Sequence, residues 1–307
     1  MDETQKKPKL SVKIGSLTLK NPILLASGTC GYGKELNELL DISSLGGIVV
    51  KGISLLPKKG NPPPRIIETP CGLLNAIGLE NVGVENFINE KLPWLKKLDT
   101  AVIVNILGNS TQEYEEITKR LSDQEGIDAI EINISCPNVK EGGVSFGTDP
   151  LLASKVTKAV VKASSLPVIV KLSPNVTDIC QIARAVEQEG ATAISLINTL
   201  LGMAIDIYKR RPVLGNIFGG LSGPAIKPVA LRMVWQVVRS VSIPVIGIGG
   251  ISDFKDAVEF LMAGAVAVQI GTATLVDPDA SKKILSGLID FMNEHNYLSI
   301  GQLVISN

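Results

Sequence analysis

Histidine is almost missing from this chain: His295 is the single one. A metal site built from imidazoles and a Ser-His-Asp triad both need more than that placement offers, so acid–base chemistry falls to another side chain. Excess charge of either sign is also missing, because 30 Lys and Arg balance 30 Asp and Glu. That excludes a general nucleic-acid binder, which needs a basic surplus or patch. No apolar run approaches the roughly 20 residues of a membrane span. Met1–Lys9 is polar and lacks the apolar stretch of a signal peptide. Cysteine is sparse and scattered, at Cys30, Cys71, Cys136 and Cys180, which is neither a disulfide framework nor a close-spaced zinc pattern. These absences describe a reduced, cytoplasmic chain with no membrane segment, no nucleic-acid partner and no metal site of its own.

What is present is apolar sequence in a regular rhythm. Hydrophobic residues make up 45% of the chain, too many for disorder. Short β-rich runs, continuous rather than alternating, cover Ile23–Ala26, Gly47–Val50, Ala101–Ile106, Ala129–Ile134, Val168–Lys171, Ala193–Ile197, Val245–Gly249 and Ala267–Ile270. Continuous apolar runs fit parallel strands covered on both faces. Amphipathic stretches lie between and after them: 34–41, 84–98, 111–122, 150–163, 178–189, 224–241, 253–263 and 279–293. Asp149-Pro150 and Gly223-Pro224 place proline in a first helical turn, and glycine follows the helical pattern at Gly190 and Gly264. Eight strand–helix units in 307 residues predict a (β/α)8 barrel, a single domain over residues 1–307. A doubly wound open sheet is the alternative. The segment 10–19 alternates around Gly15-Ser16 and predicts a hairpin that closes the barrel bottom. Two long connections, 53–82 and 200–222, are expected to be functional loops over the opposite, C-terminal face.

Chemistry in such a barrel sits where the strands end. The residues met there are Ser27 after the first run, Lys51-Gly52 after the second and Asn105 near the end of the third. The fourth runs into Asn133-Ile134-Ser135-Cys136-Pro137-Asn138. Lys171 ends the fifth and Asn198-Thr199 follow the sixth. Gly249-Gly250 end the seventh, and Gly271-Thr272 follow the eighth. One lysine at such a place can simply emerge into solvent. Lys51 and Lys171 aimed at one face point instead to a bound anionic or electron-rich group. Gly249, Gly250, Gly271 and Thr272, with Gly223 from the preceding loop, are placed for a phosphate held by backbone N–H groups. Ordinary turn glycine is the competing reading.

Cys136 stands apart from the other cysteines. It follows a strand among polar amides, and a glycine-rich stretch after it, 139–147, is suited to a lid. A free thiol with a pKa of about 8.5 needs only a modest shift to accept a proton near neutrality. Cys30 lies in a glycine-rich loop near the same face and is a second candidate for lining the site; Cys180 sits in a helical pattern and reads as packing.

The run Asn133-Ile134-Ser135-Cys136-Pro137-Asn138 resembles that of the dihydroorotate dehydrogenases. Ala26-Ser27-Gly28-Thr29, Asn75-Ala76-Ile77-Gly78-Leu79 and Gly247-Ile248-Gly249-Gly250-Ile251 carry the same likeness, which extends from Val12 to the final helix. The resemblance implies an FMN-containing barrel, one FMN per chain, that oxidises dihydroorotate to orotate in pyrimidine (UMP) biosynthesis. It implies that Cys136 takes the C5 proton while the C6 hydride goes to flavin N5. Asn75, Asn133, Asn198 and Thr199, with the backbone of Ala76, Ile77, Gly78 and Leu79, would hold the pyrimidine. Lys51 would touch both substrate and flavin, and Lys171 would face the N1 and C2 carbonyl side of the flavin. Ser27, Gly52, Asn105, Asn133, Ile197, Gly223, Gly249, Gly250, Gly271 and Thr272 would complete the FMN site.

A cysteine base marks the soluble classes of that family, where the membrane-associated class has serine. The stretch from Asn198 to Asp206 is similar to the NAD-linked, two-subunit class. That class implies a homodimeric core and an electron-transfer subunit carrying FAD and a 2Fe-2S cluster, two of each subunit in a heterotetramer. This chain has no C-x-x-C with which to hold a cluster. Two other enzymes remain open at this point: another pyrimidine-reducing flavoenzyme, such as a dihydropyrimidine dehydrogenase catalytic domain, and a flavin-free phosphate-binding barrel isomerase or lyase.

Overall fold

The computed structural model describes residues 7–135 and 145–305. In chain order the strands are β1 (Val12–Ile14), β2 (Leu17–Leu19), β3 (Ile23–Leu25), β4 (Gly47–Ile53), β5 (Ile66–Thr69), β6 (Gly72–Asn75), β7 (Ala101–Ile106), β8 (Ala129–Asn133), β9 (Val168–Leu172), β10 (Ala193–Leu196), β11 (Leu200–Met203), β12 (Ile205–Asp206), β13 (Arg211–Pro212), β14 (Phe218–Ser222), β15 (Val245–Ile248) and β16 (Ala267–Ile270). Among the described residues β3, β4, β7, β8, β9, β10, β15 and β16 close into an eight-stranded parallel barrel. These are the eight runs anticipated from the sequence. β4 continues to Ile53, so Lys51 lies within its strand rather than past it, and β9 continues one residue beyond Lys171 to Leu172.

Period-two alternation along each parallel strand sorts the barrel interior into layers. The lowest layer is apolar: Leu24, Val49, Ile103, Ala129, Ile169, Ala193, Ile246 and Ala267 pack together. The β1–β2 hairpin plugs this end, adding the fully buried Ile14 and Leu19 to the same cluster. Its turn needs Gly15, whose φ is +59° and whose added Cβ would lie 2.3 Å from a Thr192 methyl. Two residues further along each strand the layer changes character, to Ala26, Lys51, Asn105, Glu131, Lys171, Ser195, Ile248 and Gln269. Most of a barrel's interior is bulky aliphatic packing; here its upper part is polar.

The surrounding helices bury their apolar faces on the outside of the barrel. Thr111–Ser122 and Pro150–Ala163 start and stop where the sequence predicts. Their caps explain this: Ser110 Oγ accepts from the Glu113 amide, and Asp149 Oδ1 accepts from the amides of Leu151 and Leu152. Ile117 and Leu121 of the first and Val156 and Val160 of the second are buried in the main core. Full burial of such side chains stabilises by about 1.5–3 kcal/mol each. None of the described helices is long and apolar enough to cross a membrane.

Two expectations fail for identifiable reasons. Residues 34–41 form no α-helix, only short 3-10 turns at Leu36–Glu38 and Ile42–Ser44. There Asn37 Oδ1 accepts from the Ile42 amide and Asp41 Oδ1 from the Ser43 amide, so side chains compete with the helical ladder. Residues 84–98 are not one regular helix, because a π-helical turn at Phe87–Lys91 separates Gly83–Asn86 from Leu92–Leu95. Pro93 lacks an N–H and its ring crowds the carbonyl one turn back, so the turn before it widens. The two long connections do lie over the C-terminal face, and they carry more order than loops alone. They supply β5, β6, β11 and β14, which pair as an antiparallel sheet over the barrel mouth.

Candidate active site

A cavity of about 810 Å³ opens at the C-terminal end of the barrel, between the polar layer and the antiparallel sheet. All the described residues nominated from the sequence for substrate or cofactor line it. They reach it from widely separated parts of the chain: Ser27 and Gly52 near one end, Gly271 and Thr272 near the other. Cys136, with the rest of 136–144, lies outside the described residues. Its flanking neighbours Ser135 and Ser145 both line the cavity.

One side of the cavity is a chain of amides. Asn198 Nδ2 donates to Asn133 Oδ1 (3.2 Å) and to Ser135 Oγ (2.9 Å), while its Oδ1 accepts from the Thr199 amide. Tyr114, buried beneath, donates its hydroxyl to the Asn133 carbonyl at 2.6 Å and so fixes the end of β8. Asn75 Nδ2 donates to the Gly220 carbonyl across the roof sheet. Thr199 fits beside that sheet only because residue 220 is glycine, where an added Cβ would lie 2.1 Å from its Oγ1. The 76–79 backbone is held from behind by Asn61, which donates to the Ala76 carbonyl, and by Asn81, which donates to the Leu79 carbonyl.

The floor carries the two ammonium groups. Lys51 is half-buried; burial holds it below its ordinary value, partly offset by the attraction of Glu80. Lys171 is only 7% exposed, and its Nζ lies 4.0 Å from Glu131 Oε1. Gly52 leaves room for Asn105: an added Cβ would sit 2.7 Å from Asn105 Oδ1. Ser27 is fixed by donation from Oγ to the Val50 carbonyl.

The far end is a backbone cradle. Gly223, Gly249 and Gly250 have φ of +92°, +128° and +70°, which side chains rarely adopt. At Gly250 a Cβ would also lie 2.8 Å from the Gly223 carbonyl oxygen. Thr272 Oγ1 and Ser222 Oγ are bonded at 2.8 Å alongside. Immediately after Gly250 a capping box between Asp253 and Asp256 starts the helix Phe254–Met262. Lys227, in turn, bridges Asp256 and Glu259 and ties this turn to the preceding helix. A cradle that a Cβ would fill, an adjoining cavity and two cations, Lys171 buried and Lys51 half-buried, fit a long, flat, anionic group such as FMN.

Cys30 does not line the cavity. It is buried, its Sγ lies 3.3 Å from the Ala26 and Val49 carbonyl oxygens, and burial pushes its thiol up to about 12. Cys180 is half-buried against the main core, as its helical setting predicts. Residues missed in the sequence are Glu131, Ser195 and Gln269 in the polar layer and Ser135, Ser173 and Asn175 at the rim. The first three carried a signal: each is a polar residue inside a short, mostly apolar strand, two positions beyond an apolar inward one. Asn175 is tied in by donating to the Thr199 carbonyl.

The family model for dihydroorotate dehydrogenase matches residues 9–292. The "Dihydroorotate dehydrogenase B (NAD(+)), catalytic subunit" of Geotalea daltonii is 55% identical over 298 residues, covering 97% of this chain and 98% of that protein. The protein of the same name from Desulforamulus reducens is 57% identical over 295 residues, covering 96% of this chain and 97% of that one. Among solved structures, a ferulenol complex of an Eimeria tenella protein abbreviated DHODH superposes with a TM-score of 0.79 at 21% identity. That match covers 99% of this chain and 89% of the other, a likeness of fold.

Proposed function

This chain belongs to the dihydroorotate dehydrogenase family, and from that premise we propose that it oxidises dihydroorotate to orotate in pyrimidine biosynthesis with one bound FMN. The observation that carries this reading is the meeting of Lys51, Lys171 and the amides of Asn75, Asn133 and Asn198 in one cavity beside a glycine cradle. FMN, when bound, supplies the hydride acceptor. The cradle of Gly223, Gly249, Gly250, Gly271 and Thr272 holds its phosphate by backbone and hydroxyl groups. Ser27, Gly52, Asn105, Asn133, Lys171 and Ile197 hold the remainder.

Amide side chains offer both donors and acceptors, which matches the alternating N–H and C=O edge of a dihydropyrimidine. Asn75, Asn133, Asn198 and Thr199 take that edge, and the 76–79 backbone closes over it. Lys51 meets the carboxylate as a point charge. Cys136 removes the C5 proton; its support is that Ser135 and Ser145, on either side of its segment, both line the cavity. Lys171, a cation lining the cavity, would stabilise negative charge developing on a flavin bound there.

The two relatives are named as NAD(+)-linked catalytic subunits. Four scattered cysteines provide no cluster ligand set here. The chain therefore acts with a separate electron-transfer subunit that carries FAD and a 2Fe-2S cluster, as two catalytic and two electron-transfer subunits in the cytoplasm. The β12–β13 hairpin supports association with another chain: Ile205 in its first strand and Ile207 and Tyr208 in its turn expose apolar side chains to 59%, 72% and 92%.

One preparation tests this. The purified chain is expected to be yellow and to release FMN on acid treatment, and to oxidise dihydroorotate with an artificial acceptor. NAD reduction is expected only after co-expression with the flavin and iron–sulfur subunit. A colourless protein that FMN cannot reconstitute sinks the oxidoreductase reading; brisk NAD reduction by the isolated chain sinks the two-subunit one.

A further inference from the structure

Beneath the cavity floor sits a fully buried carboxylate that the proposed chemistry does not use. Glu131, on β8, accepts three hydrogen bonds from three other strands. Asn105 Nδ2 on β7 reaches Oε1 at 2.7 Å; Ser195 Oγ on β10 and Gln269 Nε2 on β16 both reach Oε2 at 2.8 Å. Lys171 on β9 lies at 4.0 Å from Oε1, beyond hydrogen-bond distance.

This arrangement is costly and specific. A barrel interior ordinarily holds branched aliphatic residues at such positions. Replacing a buried ion pair by apolar packing is often neutral or stabilising, so stability alone does not account for a carboxylate here. Of its four polar neighbours, Asn105, Lys171 and Gln269 line the cavity. The hydrogen bonds to Glu131 come from neutral donors, so no N–H of Lys171, which lines the cavity, is spent on it. Its negative charge nevertheless stands beside that ammonium in a dry interior, where charges are poorly screened.

We propose that Glu131 is a positioning residue for the flavin site: it fixes the amide of Asn105 and offsets part of the positive charge that Lys171 presents to the cavity. Glu131 thereby sets how readily a flavin held against Lys171 accepts electrons. The inference rests on the FMN reading above.

Glu131→Gln is the test, because it keeps shape and removes charge. The new amide can be satisfied in place: Gln269 Oε1 is buried without a hydrogen-bond partner, and turning that amide offers it as an acceptor. With Lys171 no longer offset, an anionic reduced flavin is favoured. The flavin midpoint potential, measured by dye equilibration, is expected to rise by a tenfold change in the reduction equilibrium, about 30 mV for two electrons. FMN affinity is expected to stay within about threefold of the parent, since the flavin's own contacts remain. Glu131→Asp, which keeps the charge, is expected to restore the parent potential.

A parent protein that binds no FMN would overturn the functional reading. A parent that binds FMN, with Glu131→Gln at an unchanged or lower potential, overturns this inference alone. If Glu131→Gln does not fold, Glu131→Met carries the test, because it removes the charge and keeps comparable bulk. The potential must then rise as expected for Glu131→Gln. A parent-like or lower potential overturns the inference.

Discussion

Cys136→Ala is expected to keep its FMN and lose dihydroorotate oxidation by about 10²–10⁴-fold at neutral pH, the usual contribution of a positioned general base. The large size follows from the absence of a substitute. Cys30 is the nearest thiol by sequence to the same rim, but it is buried against backbone carbonyls and pushed up to about 12. A thiol held that high stays protonated throughout the neutral range and cannot take a proton. Cys71 is exposed and Cys180 is half-buried on a helix, and neither lines the cavity. His295 is at the end of the last α-helix, with its ring tilted against those of Phe291 and Tyr297. The glycine cradle and both lysines are untouched by the substitution, so flavin content should not fall. Stopped-flow reduction of the bound flavin by dihydroorotate is the measurement. Turnover within about threefold of the parent would remove Cys136 from the base role. Cys136→Ser separates base strength from position: a hydroxyl is a far weaker base than a thiolate, so its residual rate should rise with pH well past the parent's plateau.

The sequence made the architecture readable because parallel strands buried on both faces leave uninterrupted apolar runs. The eight runs needed only end corrections, and those corrections mattered at Lys51 and Lys171. Lys51 is carried within β4 and Lys171 is followed by Leu172 in β9, in keeping with the expectation that both serve one face. The cavity residues were readable for the same reason, since strand ends in this fold converge on one face. What escaped notice involved partners far apart in the chain. The roof sheet pairs Asn75 with Gly220, and neither segment alone announces a strand. Glu131 was visible as a charge inside Ala129–Ile134. Its meaning depended on Ser195 and Gln269, residues with no local reason to be read together. The helix expected at 34–41 failed at the other extreme, through contacts of Asn37 and Asp41 with their own near neighbours that apolar spacing does not register.

Lys171→Met carries the second large effect, and it should appear both in the flavin and in the fold. The side chain keeps comparable length and apolar bulk, so packing is nearly preserved while the charge is removed. Glu131 is then left as a buried carboxylate with neutral donors only. Removing one partner of a buried pair typically costs 3–5 kcal/mol, and the three remaining hydrogen bonds put this case at about 3 kcal/mol. Thermal unfolding of the flavin-free protein reads that loss without reference to activity. In the holoprotein the missing cation faces the site of developing negative charge, where loss of one preorganised donor usually costs about 10²–10³-fold in rate. Flavin reduction by dihydroorotate should slow by that order, and the midpoint potential should fall, opposite in sign to Glu131→Gln. Lys171→Arg is not expected to restore the parent, because a planar guanidinium cannot occupy a slot shaped for one ammonium 4.0 Å from Oε1. The double variant Lys171→Met with Glu131→Gln discriminates pairing from independent roles. If the two charges act as a unit, it recovers stability relative to Lys171→Met while the reduction rate stays low. Simple additivity of both effects would show that Lys171 and Glu131 serve the cavity separately.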